Sequence, residues 1–376
     1  MKRALKSVVE TDLGEKMVFV GGPRQVGKTT LALSFLPQES EGHPAYLNWD
    51  HPATRRLLLQ GGLPGGEALL VFDEIHKFKG WRNLIKGFYD TNKSHCRFLV
   101  TGSARLDHYR KGGDSLQGRY HYHRLHPFSL AELETAGSSG TLEQLLKYGG
   151  FPEPFLAASD RHWKRWQREH LSRVVREDLL SLEQVREVGQ VELLAQLLPD
   201  RVGSPLSINN LRGDLDVSFE SVDRWIRILE NLYFCFRIGP FGFPKIRAVK
   251  KEQKLYLWDW SVCEDEGSRF ENLVASNLLK YCHHLEDTAG DEMELRFLRD
   301  TAGRELDFVV LKDGKPQFGV ECKLGERSLV SQVRYYAERT GIPKFYQVHL
   351  GNTDTEFPEH RARVVPFCKF SEILGI

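Results

Sequence analysis

The sequence predicts an α/β protein of several domains, and three features of the chain indicate this. A glycine-rich loop lies between a short apolar run, residues 17–20, and an apolar-periodic stretch, residues 30–36, that is typical of a helix. Strand-like and helical stretches then alternate as far as residue 126, which favours a mostly parallel sheet covered by helices. The chain has 376 residues, more than one ordinary core, so further domains are expected beyond this sheet.

The glycine-rich loop fits the pattern Gly-x-x-x-x-Gly-Lys-Thr, which binds phosphate when a strand precedes it and a helix follows. Its glycines let the backbone approach the phosphates, Lys28 reaches the β and γ oxygens, and the Thr29 hydroxyl can bind Mg²⁺. The predicted nucleotide-binding residues are Gly22, Pro23, Arg24, Gln25, Val26, Gly27, Lys28, Thr29 and Thr30. A chance glycine-rich turn is the alternative, and the flanking strand, helix and Lys-Thr pair argue against it.

A second apolar run, residues 69–72, ends in Asp73 and Glu74. The carboxyl end of a strand in an open parallel sheet lies where ligands bind, beside the phosphate loop. Asp73 is predicted to hold the Mg²⁺ shell, and Glu74 to orient and deprotonate the attacking water. A solvated strand end is the alternative. Thr101 and Ser103 follow a third run, and either hydroxyl is a candidate for sensing the γ-phosphate.

The composition restricts the class of protein. A formal net charge of +1 leaves no global field for a polyanion, so any nucleic-acid surface must be local. No apolar run approaches the roughly 20 residues of a membrane helix, and residues 1–16 lack a signal-peptide core, so a cytoplasmic protein with no membrane partner is expected. The six cysteines form no C-x-x-C pair, which indicates neither a zinc site nor a disulfide framework.

These motifs resemble those of the AAA+ ATPases, in particular the bacterial and archaeal group whose ATPase domain precedes a restriction-endonuclease-like domain. The resemblance covers nearly the whole chain, and its ATPase motifs are the specific part. The stretches that carry it are residues 22–30, 73–77, 101–103, 118–119, 125–129 and 149–154. The resemblance implies ATP and Mg²⁺ as cofactors and a ring-shaped homo-oligomer, with a hexamer favoured.

In such rings an arginine of one subunit completes the ATP site of the next and stabilises charge on the transferred phosphoryl group. Arg119 is the first candidate for this arginine, and Arg105 is the second. An ordinary surface or structural role is the alternative for either one.

The chain divides into four predicted domains: an ATPase core over residues 1–126, a helical lid over 127–200, a winged helix over 201–258 and a nuclease-like domain over 259–376. In the winged helix, residues 218–229 are predicted to be the second helix of a helix-turn-helix, with Arg224 and Arg227 near its exposed face. The inward positions are Val222, Trp225, Ile226 and Leu229. The predicted wing carries the basic residues Lys245, Arg247, Lys250, Lys251 and Lys254, with Glu252 opposing them. This patch predicts DNA binding, and a protein-interaction module or an interdomain spacer is the alternative.

The last domain resembles the PD-(D/E)xK nuclease fold, in which an Asp, a Glu-x-Lys and a helical Glu converge at one sheet edge. The Asp-Gly pair at 313–314 predicts a tight hairpin that makes the flanking strands antiparallel neighbours. Asp307, Glu321 and Lys323 are expected to form one cluster with Glu271 beside it. Asp307 and Glu321 are the predicted ligands of Mg²⁺ or Mn²⁺, and whether the domain cleaves DNA stays open.

The sequence therefore predicts an ATP-hydrolysing AAA+ protein that remodels or processes DNA, for example branched or damaged DNA. The alternative is a nucleotide-dependent switch in regulation or defence, whose C-terminal domain binds a partner without cutting DNA.

Overall fold

The structure is a computed structural model that describes residues 3–102, 116–135, 141–178, 187–242 and 252–376. Its contacts divide the chain into two compact units. Unit 1 consists of Met1–His126 with Asn231–Tyr233, and unit 2 consists of Pro127–Glu230 with Phe234–Ile376. Ser103, Arg105 and the predicted wing residues Lys245, Arg247, Lys250 and Lys251 lie outside the described residues.

Unit 1 is built on a five-stranded, fully parallel sheet in the order β2-β3-β4-β1-β5. Its strands are β1 Met17–Gly21, β2 Tyr46–Asn48, β3 Leu69–Asp73, β4 Arg97–Thr101 and β5 Tyr120–Arg124. Its helices are α1 Leu5–Asp12, α2 Lys28–Leu33, α3 Pro52–Leu59 and α4 Trp81–Asn92. β1 and β3 are buried along their whole length, as expected for apolar strands covered on both faces. The predicted parallel-sheet core is confirmed, and the carboxyl ends of its strands meet at one edge.

In the first part of unit 2, residues 127–200, all the regular secondary structure of the described residues is helical. Its helices are α5 Leu130–Thr135, α6 Leu142–Tyr148, α7 Pro152–Ala157, α8 Asp160–Ser172 and α9 Val188–Leu197, and a π-helical segment, Arg173–Asp178, continues α8. Thr141 caps α6, because its side-chain oxygen accepts a hydrogen bond from the Gln144 N–H. The predicted lid is thus helical in composition, and its role as a lid stays a prediction.

Two further helices, α10 Ile208–Leu215 and α11 Phe219–Asn231, are followed by β6 Cys235–Pro240 and β7 Lys254–Leu257. β6 and β7 pair antiparallel. The predicted inward face of α11 is confirmed, since Val222, Trp225, Ile226 and Leu229 are buried. Two helices followed by an antiparallel pair is the order expected of a winged helix.

An eight-stranded mixed sheet, in the order β12-β13-β11-β10-β9-β8-β6-β7, forms the rest of unit 2. The additional strands are β8 Met293–Arg299, β9 Glu305–Lys312, β10 Lys315–Lys323, β11 Phe345–His349, β12 Thr355–Phe357 and β13 Ala362–Pro366. The additional helices are α12 Glu266–Ala289, α13 Ser331–Arg339 and α14 Phe367–Leu374, and α12 packs against β7, β8, β9 and β10.

Two features of this sheet bear on the sequence predictions. The tight hairpin between β9 and β10 is confirmed, because the strands are antiparallel and both Asp313 and Gly314 have positive φ. The last two residues of β6, Gly239 and Pro240, pair in parallel with β8. The sheet therefore contains strands from both sides of residue 258, where the sequence analysis places a domain boundary.

Candidate nucleotide-binding site

The predicted phosphate loop joins β1 to α2 and requires glycine at two positions. Gly22 has a φ of +141°, and Gly27, which precedes α2, has a φ of +97°. A Cβ at Gly22 would lie 2.3 Å from the carbonyl oxygen of Leu125, a backbone atom that cannot move aside alone. A side chain at Gly22 would therefore be strained and would also clash.

Lys28 is the first residue of α2, and only 7% of its surface is exposed. Its Nζ donates hydrogen bonds to the carbonyl oxygens of Gly22, at 3.0 Å, and Pro23, at 2.6 Å. The loop therefore curls around the ammonium group. This arrangement brings a positive charge to the place where the motif binds phosphate.

Asp73, at the end of β3, is 2% exposed and accepts hydrogen bonds from three hydroxyl groups. Its Oδ2 accepts from Thr29 Oγ1 at 2.8 Å and from Tyr46 OH at 2.7 Å, while its Oδ1 accepts from the Thr101 hydroxyl. Burial, and then the charge of Asp73, raise the pKa of Tyr46, so its phenol stays protonated and donates. Donors from the phosphate loop, β2 and β4 thus fix the orientation of one carboxylate.

The contact between Thr29 and Asp73 fits the requirements of a Mg²⁺ site beside ATP. A hydroxyl and a carboxylate are hard oxygen ligands, and the 2.8 Å hydrogen bond holds their two oxygens side by side. When bound, Mg²⁺ would neutralise the charge of the β- and γ-phosphates. Thr29 and Asp73 are therefore the residues that would hold it.

Glu74 follows Asp73 with a φ of +56° and begins a short 3₁₀ turn, Ile75–Lys77. Its Oε2 lies 3.2 Å from Lys77 Nζ and 3.8 Å from His76 Nε2. Lys77 also pairs with Asp50. Burial opposes the charge of Lys77, but the hydrogen bond to Asp50 and the charge of Glu74 outweigh burial and raise the pKa of Lys77. The predicted general base is thus held in an ion pair.

Two of the remaining predicted residues, Thr101 and Arg119, are held by carboxylates of unit 1. The described hydrogen bond of Thr101 goes to Asp73, so the hydroxyl predicted to sense the γ-phosphate orients that carboxylate. Arg119, the candidate arginine finger, has 35% of its side chain exposed and binds Asp90 of α4 through Nε at 2.9 Å. Sequence reasoning did not identify Tyr46, because its role depends on β2 lying beside β3. The one sequence feature that could have identified the ion pair of Lys77 is its position three residues after Glu74.

The residues predicted to form a cluster in the C-terminal domain lie close together in the structure. Asp307 in β9 accepts a hydrogen bond from the backbone N–H of Cys322 in β10, at 2.8 Å. Lys323 Nζ donates to Glu321 Oε1 at 2.6 Å. Glu271 in α12 lies beside them: burial first, and the charge of Asp307 second, raise the pKa of Glu271 to about 7 and that of Glu321 to about 8.

Metal binding at this cluster stays a prediction. Within the ranges that the structure describes, no group of three or more His, Cys, Asp or Glu side chains is arranged to hold a metal ion.

Lys254 does not belong to the exposed basic patch that the sequence predicts, and that prediction is wrong for this residue. Its side chain is fully buried in β7 and pairs with Glu271 and Glu305. Burial opposes its charge, but attraction by Glu271, Asp307 and Glu305 outweighs burial and raises the pKa of Lys254. A run of basic residues in the sequence gave no sign of these carboxylates, which lie further along the chain.

Helix α11, predicted as the second helix of a helix-turn-helix, exposes its two arginines as expected. Arg224 and Arg227 are both exposed on α11. The guanidinium of Arg227 pairs with Asp223 one turn earlier, so part of its charge is compensated within the helix.

Three family models match successive parts of the chain. Residues 14–134 match an AAA domain, residues 139–265 match a domain of unknown function, DUF8612, and residues 266–370 match another, DUF4143. The AAA match coincides with the parallel sheet and the phosphate loop. Residues 14–134 thus combine an AAA match with a parallel sheet and a phosphate-loop motif.

Two relatives show how far the similarity extends. The uncharacterized protein MJ1544 of Methanocaldococcus jannaschii is 22% identical over 338 residues, which is 80% of this chain and 74% of that protein. The uncharacterized protein Rv2008c of Mycobacterium tuberculosis is 25% identical over 245 residues, which is 65% of this chain and 54% of that protein. The match thus spans about half the length of the mycobacterial relative.

Among solved structures, the Orc1 protein of Aeropyrum pernix in complex with DNA is similar with a TM-score of 0.32 and 15% identity. That match covers 72% of this chain and 90% of the other. The RuvB Holliday junction branch migration motor of Thermotoga maritima is similar with a TM-score of 0.31 and 17% identity, covering 62% and 88%. Such scores describe a partial likeness. Across the described parts of this chain, no helix combines the length and the apolar character needed to cross a membrane.

Proposed function

We propose that this protein is a Mg²⁺-dependent ATPase of the cytoplasm that acts on DNA as a homo-oligomeric ring, with a hexamer favoured. The observation that carries the ATPase proposal is the contact between Thr29 and Asp73, because it joins the phosphate loop to the acidic end of β3. Lys28 supports it by placing its buried ammonium within the loop. The AAA match over residues 14–134 agrees with this chemistry.

In this proposal the chain's own residues bind the phosphates, hold the Mg²⁺ and deprotonate the attacking water. The loop backbone and Lys28 would bind the phosphates, while Thr29 and Asp73 would hold Mg²⁺. Glu74 takes a proton from the water that attacks the γ-phosphorus. Oε2 of Glu74 is paired with Lys77 at 3.2 Å, so an attacking water would compete with Lys77 for this oxygen.

Arg119→Ala is expected to lose ATP turnover by about 10³-fold, the low end of the effect of an arginine finger, while ATP affinity is retained. In this proposal Arg119 leaves Asp90 and reaches the ATP site of the neighbouring subunit. The measurement is steady-state phosphate release alongside equilibrium ATP binding. Asp90→Asn is the matched control, because it removes the same exposed ion pair but keeps the arginine. Full turnover by a monomeric protein at high dilution would contradict the shared site.

DNA binding is proposed for residues 201–258 in a winged-helix role. Support comes from the order of α10, α11, β6 and β7, and from the exposed Arg224 and Arg227. Electrostatic attraction to phosphates would come mainly from the basic residues between β6 and β7.

Reversing Lys250 and Lys251 to Glu is expected to weaken DNA binding and to flatten its dependence on salt. Each lysine that meets a phosphate releases a counterion, so the slope of log K against log salt should fall by about 0.9 for each lost contact on duplex DNA. Titrations at several salt concentrations measure this slope. Reversing Lys315 and Lys344, which lie on or beside other strands of unit 2, gives the same change in net charge and serves as the control. An unchanged affinity and slope would leave the patch as a solubilising surface.

For the C-terminal sheet we propose a PD-(D/E)xK-like fold, supported by the meeting of Asp307, Glu321, Lys323 and Glu271. DNA cleavage is not part of the proposed function. The experiment in the next subsection tests whether Asp307 and Glu321 bind a metal, as the sequence predicts.

A nucleotide-dependent switch is the second candidate, and the ion pair between Glu74 and Lys77 favours it. A base held in this way would hydrolyse ATP slowly and keep the bound nucleotide. The test is an ATPase assay with single-stranded, duplex and four-way DNA. Continuous turnover that DNA stimulates supports the DNA-acting ATPase. Slow turnover that no DNA changes, with a tightly held nucleotide, supports the switch.

A further inference from the structure

Lys254 places a fully buried ammonium group among three carboxylates of unit 2. Its Nζ lies 3.2 Å from Glu271 Oε1 and 3.7 Å from Asp307 Oδ1, and it also pairs with Glu305. Glu271 belongs to α12, whereas Glu305 and Asp307 belong to β9. One lysine from β7 thus joins a helix and a strand that are distant in sequence.

The surroundings of this ammonium leave little access to water. The ring of Phe297 lies 5.7 Å from the Nζ, and Tyr256, also buried, donates a hydrogen bond to Glu271 at 2.7 Å. A buried charge is costly unless partners compensate it, and here three carboxylates do so. Lys254 is therefore a fixed part of the cluster.

The two predicted metal ligands both face ammonium groups. Asp307 lies near Lys254, and Glu321 Oε1 accepts from Lys323 at 2.6 Å. Mg²⁺ requires ligand oxygens at about 2.0–2.1 Å and usually retains several waters. Two ammonium groups at these positions oppose such an ion by charge and by volume.

We propose that Lys254 is the built-in cation of this cluster and takes the place that a divalent metal would occupy. Lys254 pairs with Glu271 and Glu305 and lies near Asp307, while Lys323 pairs with Glu321 and Arg299 lies 3.5 Å from Glu305. The cluster then connects α12 to the sheet without a metal. This inference is independent of the proposed ATPase activity.

One atom makes the proposal open to a direct test. Glu321 Oε2 is buried and has no hydrogen-bond partner among the described residues, so it is the oxygen that a metal would be expected to bind. If a divalent ion binds here despite Lys254, Mn²⁺ will raise the Tm of the wild-type protein.

The experiment is thermal unfolding of the full chain without nucleotide, in EDTA and in increasing Mn²⁺. For the wild-type protein we expect the same response of Tm to Mn²⁺ as for Asp307→Asn, because no Mn²⁺ binds at the cluster. Lys254→Met is expected to unfold at a lower Tm in EDTA, because three carboxylates lose their cation. Mn²⁺ should then raise the Tm of this variant by about 5 °C at about 100 times its Kd. Adding Asp307→Asn to Lys254→Met should remove that rise.

Lys280→Met is the matched control. Lys280 of α12 is also largely buried, and its Nζ pairs with Glu132 at 2.8 Å, away from the cluster. The Tm of this variant should fall, and Mn²⁺ should not restore it. A wild-type rise in Tm that Asp307→Asn abolishes would overturn the proposal, as would the absence of any Mn²⁺ effect in Lys254→Met. If Lys254→Met does not fold, the wild-type titration with Asp307→Asn decides alone.

Discussion

Glu74→Gln is expected to bind ATP with near-normal affinity and to hydrolyse it about 10²–10⁴ times more slowly than the wild-type protein, because an amide cannot accept the proton of the attacking water. The change keeps the size of the side chain and leaves Asp73, Thr29 and Lys28 in place. Binding of a fluorescent ATP analogue and release of phosphate, measured on the same preparation, separate affinity from turnover.

Lys28→Ala gives the contrasting result. Its ammonium group lies within the phosphate loop, so its removal should weaken binding itself and abolish hydrolysis at ordinary ATP concentrations. Glu41→Gln, an exposed acid of the same unit, is the control and should leave both quantities unchanged. Near-normal turnover by Glu74→Gln would show that another group is the base.

The parallel sheet of unit 1 could be predicted because its signals are local. Continuous apolar runs mark β1, β3 and β4, and the loop motif fixes which strand precedes the phosphates. The hydrogen bonds that orient Asp73 could not be predicted in full. Tyr46 reaches Asp73 because β2 pairs with β3, and strand pairing between distant segments leaves no mark in the sequence around Tyr46.

The sequence misled at Lys254 for the same reason. It closes a basic segment that contains Lys245, Arg247, Lys250 and Lys251, so composition predicted an exposed position. The usual alternation of buried and exposed residues along a strand does not identify Lys254 as buried either, because all four residues of β7 are buried. Only the folded structure shows that the lysine faces carboxylates, Glu271 of α12 and Glu305 and Asp307 of β9. The convergence of Asp307, Glu321 and Lys323 was predictable, since the Asp-Gly hairpin aligns β9 with β10.

Gly22→Ala is expected to abolish ATP binding while the chain still folds. Its φ of +141° is unfavourable for alanine, and the new Cβ would lie 2.3 Å from the Leu125 carbonyl oxygen. Left-handed backbone strain and overpacking together should cost about 2–5 kcal/mol. The loop can relieve this only by moving its backbone, which displaces the N–H groups that bind phosphate.

Thermal unfolding with and without ATP and Mg²⁺ measures both effects. In the wild-type protein the bound nucleotide should raise the Tm of the transition that reports unit 1, whereas in Gly22→Ala this rise should disappear and the starting Tm should be lower. Gly66→Ala is the matched control, because Gly66 also has a positive φ, +83°, but a Cβ there meets no atom within 4 Å. Gly66→Ala should lower the Tm through backbone strain alone and keep the rise with ATP. Equal loss of the ATP response in both variants would show that the loss does not depend on the contact with Leu125.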